Sequence, residues 1–227
     1  MICKRLIQLW KWRKFILMPN NITMPTDVSG AEVAMHINEE NKKLPGDLAM
    51  WFFILAELTV FAVFFIGFAV AENLNLTMFA EGKAQLHKVA GLINTIALIT
   101  SSYFVAISLH SMRKNNDKQT VSRLVLALMF ALVYVVLKLW EYQALFSQGI
   151  DIETNTFFTL YFLITAFHFM HILLGMVILL YMAINVYKGK YRDPESENEF
   201  SGFESGACYW HMVDLLWIIL FPLIYVI

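Results

Sequence analysis

The chain has 227 residues, of which 59% are hydrophobic and only 15% are charged, and its formal net charge is −1. Soluble domains average about 45–50% apolar and about 25% charged residues, and the mean hydropathy of this chain is +0.59. These values exclude a disordered chain and an ordinary soluble enzyme. The near balance of basic and acidic residues also excludes nucleic acid as a partner.

Five apolar runs are each long enough to cross a bilayer, which takes about 20 residues in a helix. The runs are continuous, whereas the strands of a membrane β-barrel alternate apolar and polar residues. The sequence therefore predicts an all-α fold, a polytopic membrane bundle of five transmembrane helices that forms one domain over residues 48–227. In chain order the predicted spans are 48–71, 89–109, 124–146, 157–186 and 207–227.

Residues 1–47 precede the first span and mix basic residues with Trp10 and Trp12. This composition predicts a cytoplasmic N-terminal segment that is partly disordered or forms a basic amphipathic stretch on an anionic membrane surface. A second interpretation is that translation begins at Met18 or Met24.

The distribution of lysine and arginine predicts the orientation of the chain. Of the 17 basic residues, fourteen lie before the first span or in the loops after the second and fourth spans, and two lie in the opposite loops. Because cytoplasmic loops carry such an excess, we expect a cytoplasmic N-terminus and an external C-terminus in a bacterial cytoplasmic (inner) membrane. Cys3 and Cys208 then fall on the reducing side, where a disulfide is not expected.

Seven ionisable side chains lie inside the predicted spans, where each costs roughly 2.5–3.5 kcal/mol on insertion scales. Three pairs of them are three residues apart and therefore share a helix face. Their depths predict two groups of interacting side chains. An intramembrane cluster toward the inner half contains Glu57, His168, His171, His211 and Asp214, and an outer-half pair contains Lys138 and Glu141.

Three functions are compatible with such groups: a haem or metal site, a proton path through Glu57, and hydrogen bonds that fix helix packing. No span contains the Glu-x-x-His spacing that a di-iron bundle uses. We therefore expect packing as the dominant role, and we predict no catalytic, cofactor-binding or metal-ligating residue in this chain.

Two further patterns concern packing. A stripe of small, weakly polar residues in the second span predicts close helix contact, and its members are Gly91, Asn94, Thr95, Ser101 and Ser102. Aromatic residues near the predicted span ends favour an interfacial belt, and they are Trp51, Trp140, Tyr142, Tyr187, Tyr209, Trp210 and Tyr225.

Five stretches together resemble a known family. They are WFFILAELTVFAVFF (51–65), LINTIALITSSYF (92–104), KLWEYQALFSQGI (138–150), FHFMHILLG (167–175) and YWHMVDLLWI (209–218). In this order, over about residues 45–227, they resemble subunit III of the haem-copper respiratory oxidases. The resemblance places Glu57 at the family's buried acid, and it places Glu141, His168, His171, His211 and Asp214 on family motif positions.

The resemblance implies a membrane subunit that is not catalytic alone and has no cofactor of its own. Haem and copper or iron would be bound by a partner, the catalytic haem-binding subunit I. The subunit would hold phospholipid, help assembly and support proton uptake in aerobic respiratory electron transport.

Two alternatives stay open. The chain has five predicted helices where the mitochondrial form has seven, and PGDLAMW (45–51) and TFFTLYFLITAFHFMH (156–171) look closest to an accessory protein of nitric oxide reductases. That likeness implies an accessory role in denitrification. The buried acid and histidines are also compatible with a standalone proton or small-solute transporter, although no inverted repeat or broken span supports one.

Overall fold

A computed structural model of the chain describes residues 48–114, 116–190 and 197–226, so the predicted N-terminal segment lies outside the described residues. Within those ranges the chain forms six α-helices and no strand. They are α1 (Leu48–Leu74), α2 (Leu76–Gln85), α3 (Lys88–Met112), α4 (Asp117–Ser147), α5 (Thr156–Tyr187) and α6 (Glu197–Tyr225). All except α2 are long and apolar enough to cross a membrane, which confirms the prediction of an all-α bundle with five spans.

Polar residues and glycines in the connections set the helix ends. The side chain of Asn116 accepts a hydrogen bond from the backbone N–H of Gln119 at the start of α4. Asn155 caps α5 in the same way, with its Oδ1 atom 2.9 Å from the backbone nitrogen of Phe158. Such caps satisfy N–H groups that a first helical turn leaves without partners. Gly149 and Gly189 follow α4 and α5 at φ values of +75° and +71°, which glycine adopts at little energetic cost.

Helix α2 occupies a segment that the sequence predicts only as a short polar connection. Its residues Phe79, Gly82 and Lys83 are buried, and the Lys83 ammonium forms an ion pair with Glu72 at the end of α1. The helix forms because Phe79 packs edge-on against Phe157 of α5, with ring centroids 5.3 Å apart. Ten residues are too few to show an apolar period strong enough for prediction.

Four of the long helices form a ring in which each contacts two neighbours: α3 with α4, α4 with α5, α5 with α6, and α6 with α3. Helix α1 packs outside this ring, against α5 and α6. In the most apolar window of each span, 17% of the residues are buried in α1 and 56% in α6. Helix α6 contacts three of the other spans. Among the described residues it contributes five buried aromatic side chains (Phe, Tyr or Trp) to the bundle core, more than any other helix.

The predicted aromatic belt is wrong for three of its residues. Tyr209, Trp210 and Tyr225 are each no more than 1% exposed, and they lie inside the bundle. Trp140 and Tyr187 are 51% and 83% exposed, as interfacial residues would be. Sequence position alone does not separate the two classes, because the face of a helix that a residue occupies is decided by the neighbouring helices.

Candidate functional site

The pair predicted for the outer half of the membrane, Lys138 and Glu141 on α4, is completely enclosed. The Nζ atom of Lys138 lies 3.0 Å from Oε2 of Glu141, and the two side chains are 0% and 1% exposed. Positions three apart lie on one helix face, so α4 by itself brings the opposite charges together. The pair neutralises two charges that would otherwise be isolated in a medium of low dielectric constant.

Two tyrosines complete the hydrogen bonding of this pair. Lys138 also donates to the hydroxyl oxygens of Tyr161 on α5 and Tyr225 on α6, each at 3.0 Å. The Tyr225 hydroxyl in turn donates to both carboxylate oxygens of Glu141, at 2.8 and 2.9 Å. All three donors of the ammonium group are therefore used. The resulting network, which we call the Lys138 network, joins α4, α5 and α6.

Glu57 and His171 form the second buried contact. The Nε2 atom of His171 on α5 lies 2.9 Å from Oε2 of Glu57 on α1. The Nδ1 atom of the same ring lies 2.8 Å from the carbonyl oxygen of Phe167, one turn earlier in α5. The side chain of Glu57 keeps 20% of its surface exposed, whereas that of Lys138 keeps none. This contact attaches α1 to the ring of helices.

His211 and Asp214 lie at the contact between α6 and α3. The Nδ1 atom of His211 lies 2.6 Å from the hydroxyl oxygen of Ser102 on α3. The Oδ1 atom of Asp214, one turn later in α6, is buried without a hydrogen-bond partner among the described residues. The serine thus joins His211 of α6 to α3.

The five residues predicted as one intramembrane cluster are therefore distributed over separate contacts. Glu57 bonds to His171, while His211 bonds to Ser102 on another helix. The ring of His168 lies between aromatic side chains, and neither of its nitrogens has a hydrogen-bond partner among the described residues. His168 and His171 are three residues apart on α5, yet their surroundings differ. The reason is that α1 covers one side of α5, whereas α4 and α6 cover the other.

The small-residue stripe of α3 lies in its contacts with α4 and α6. Ser101 donates to the carbonyl oxygen of Ala127 on α4 at 2.8 Å, and Thr95 accepts from the indole N–H of Trp217 on α6 at 3.0 Å. A Cβ atom added at Gly91 would come within 2.9 Å of the Phe221 ring. Asn94 is fully buried, and both polar atoms of its amide lack a partner among the described residues.

Sequence reasoning did not find Tyr161 and Tyr225 as partners of the ion pair, nor Ser102 as a partner of His211. A signal existed for the tyrosines, since a phenol in an apolar helix needs a hydrogen-bond partner when it is buried. The choice of partner depends on contacts between helices distant in sequence. Among the described residues, no group of three or more His, Cys, Asp or Glu side chains is arranged to hold a metal ion.

The comparisons with known proteins agree on one family. The sequence model of that family, described as cytochrome c oxidase subunit III, matches residues 16–227. Cytochrome c oxidase subunit 3 of Drosophila melanogaster is 31% identical over 183 residues, which cover 78% of this chain and 67% of that protein. Its counterpart from Synechocystis is 24% identical over 175 residues, covering 77% of this chain and 72% of the relative.

The name of a third relative combines two subunits. The heme-copper oxidase subunit I+III of Aeropyrum pernix is 27% identical over 184 residues, which are 79% of this chain and 22% of that longer protein. This chain thus spans about a fifth of that relative and about two thirds of the Drosophila protein. The matches do not favour the nitric oxide reductase accessory protein or the transporter.

Proposed function

The chain belongs to the cytochrome c oxidase subunit III family, and from that premise we propose that it acts beside the haem-binding subunit I of a haem-copper oxidase. The observation that carries the proposal is the family match over residues 16–227. The relative named subunit I+III supports the pairing with subunit I. In this role the chain supplies no electron carrier. It stabilises the assembled enzyme within the membrane, which we propose is a bacterial cytoplasmic membrane.

Affinity purification of the tagged full chain from native membranes tests this role. We expect a haem-containing subunit to co-purify and the preparation to consume oxygen. Optical spectra and metal analysis of the chain purified alone should show no stoichiometric haem, copper or iron. Recovery with a nitric oxide reductase that does not consume oxygen would contradict the proposal and support the accessory role in denitrification. A chain that purifies alone and carries protons across proteoliposomes would support a transporter.

We further propose that a phospholipid binds at one end of the bundle. A cavity of about 330 Å³ lies between the start of α1, the end of α5 and the start of α6. Ile178 and Met182 give it an apolar wall, and Asn185, Lys190 and Ser205 give it a polar one. An amphipathic cavity of this kind suits an acyl chain beside Met182 and an anionic headgroup beside Lys190.

Retention of lipid by the purified complex tests this site. Lys190→Gln removes the cationic group, so we expect less phosphatidylglycerol to remain bound after detergent exchange, as measured by native mass spectrometry. Lys114→Gln is the matched control, because Lys114 is an exposed lysine on the α3–α4 connection that does not line the cavity. Equal lipid retention in both variants would contradict the site.

We propose that the Glu57–His171 contact supports proton uptake. Glu57 is an acid inside a membrane span, and part of its side-chain surface stays accessible. Glu57→Gln keeps the shape and one hydrogen bond, so we expect normal assembly but reduced proton uptake or faster loss of activity over repeated turnovers. The exposed Glu81 of α2 provides the matched control, Glu81→Gln. If stopped-flow proton uptake and turnover lifetime equal those of the unmodified complex, Glu57 serves packing alone.

A further inference from the structure

One layer of the helix ring contains polar side chains that have no hydrogen-bond partner in the described part of the chain. Tyr134 of α4 and His168 of α5 are both fully buried, with ring centroids 6.0 Å apart. Both contact the indole of Trp217 on α6, at centroid distances of 5.0 and 5.3 Å. Three of the four helices of the ring therefore contribute an aromatic residue to this layer.

The fourth helix contributes Asn94. The hydrogen bond from Ser101 to Ala127 fixes the register between α3 and α4, which run in opposite directions because a short turn joins them. Seven residues make about two helical turns. The residue seven positions before Ser101 is Asn94, and the residue seven positions after Ala127 is Tyr134, so these two residues lie at the same level of the bundle. We call Asn94, Tyr134, His168 and Trp217 the central layer.

Five polar atoms of the central layer have no hydrogen-bond partner among the described residues. They are Nδ2 and Oδ1 of Asn94, the hydroxyl of Tyr134, and both ring nitrogens of His168. A buried polar group without a hydrogen bond is strongly disfavoured, and here the three residues that carry such groups share one level of the bundle. Because these unpartnered atoms belong to neighbouring residues, we treat them as one polar site and not as separate packing defects.

Two neighbouring donors, the indole of Trp217 and the ammonium of Lys138, are already bonded to other groups. The indole N–H of Trp217 donates to Thr95, and the three donors of Lys138 are used by Glu141, Tyr161 and Tyr225. The missing partner must itself both donate and accept, because the amide of Asn94 does both and a neutral imidazole has one nitrogen of each kind. A cation does not meet this requirement, and the ammonium of Lys138 lies only 5.6 Å from the Trp217 ring centroid.

We propose that ordered water molecules occupy the central layer and bridge Asn94, Tyr134 and His168. A buried water typically makes about three hydrogen bonds to groups that lack other partners, so very few waters satisfy all five atoms. The hydrated layer lies one turn of α4 from Lys138, and His168 lies one turn of α5 from His171. The centre of this bundle is thus polar and wet, between the Lys138 network on one side and the Glu57–His171 contact on the other.

Infrared difference spectra of the purified full chain in H₂¹⁸O and ordinary water detect such waters directly. We expect sharp O–H stretching bands that shift with the isotope and that change in Tyr134→Phe. The spectra must be recorded after exchange long enough for buried sites to equilibrate. If no isotope-sensitive band differs between the unmodified chain and Tyr134→Phe, the proposal is overturned. This outcome does not depend on how the substitution changes the stability of the chain.

The sign of a stability change provides the second test. If Tyr134 bonds to water, Tyr134→Phe removes a hydrogen bond and lowers the thermal midpoint by about 2–4 °C. If the layer is dry, removing an orphaned hydroxyl leaves the midpoint unchanged or raises it. Tyr103→Phe is the matched control, because Tyr103 is 62% exposed. Asn94→Leu combined with Tyr134→Phe should lower the midpoint by less than the sum of the single changes, and strict additivity would overturn the bridge.

Discussion

Lys138 shows at the scale of one residue how a charge is tolerated inside this bundle. Its side chain is completely buried, yet its three donors reach Glu141, Tyr161 and Tyr225. The ammonium also lies 4.7 Å from the centroid of the Tyr161 ring, which adds a cation–π attraction. A buried ion pair of this kind contributes little net stability over an apolar pair, but removal of one partner leaves the other charge uncompensated.

This asymmetry gives a prediction for the Lys138 network. Lys138→Met strands the carboxylate of Glu141, so we expect the free energy of unfolding of the full chain in detergent to fall by about 3–5 kcal/mol. The double variant Lys138→Met/Glu141→Gln removes both charges and keeps an acceptor for Tyr225, so it should recover more than half of that loss.

Chemical denaturation followed by circular dichroism measures both changes, and Lys114→Met, at an exposed lysine, should stay within about 0.5 kcal/mol of the unmodified chain. A double variant as unstable as Lys138→Met would show that the positive charge has a separate structural role, contrary to this account.

At the scale of helices, close approach depends on glycines whose surroundings are already filled. A Cβ atom added at Gly175 of α5 would come within 2.8 Å of the indole of Trp210 on α6. A Cβ atom added at Gly67 of α1 would meet nothing within 4 Å. The difference follows from the fold, since α5 and α6 are neighbours in the ring whereas this part of α1 faces away from other helices. Small residues permit such contacts between membrane helices.

A matched pair of substitutions tests this packing. Gly175→Ala forces the Trp210 ring to move, so we expect it to destabilise the chain by about 1–3 kcal/mol. Gly67→Ala adds a better helix former in open space, and we expect no loss or a gain of up to about 1 kcal/mol. Thermal unfolding of both variants in the same detergent measures the difference. Equal destabilisation would mean that α5 and α6 are not packed as described.

At the scale of the whole molecule, five membrane-spanning helices place the two ends of the bundle on opposite sides of the membrane. The distribution of basic residues predicts which side is cytoplasmic. In that orientation the α3–α4 connection is cytoplasmic, and the segment between α1 and α3 is external. The ring of α3 to α6 then crosses the bilayer as a unit, with α1 attached through Glu57 and His171.

Cysteine labelling tests this orientation. In a background of Cys3→Ser and Cys208→Ser, we expect Lys88→Cys to react with a membrane-impermeant maleimide added to intact spheroplasts. Lys114→Cys should react only after the membrane is permeabilised. Both lysines are exposed at helix ends, so they serve as controls for each other. The reverse pattern of labelling would mean that the N-terminus is external.

The sequence by itself determined the fold class, because a continuous apolar run of about 20 residues has no stable alternative to a helix in a bilayer. It also determined the pairing of Lys138 with Glu141, since opposite charges three apart on one helix face attract each other strongly where no water is present. Only the tertiary structure decided that Glu57 bonds to His171, that Ser102 bonds to His211, and that Tyr225 lies in the core. These contacts join helices far apart in sequence, and the rotation of each helix against its neighbours is set by the packing of the whole bundle.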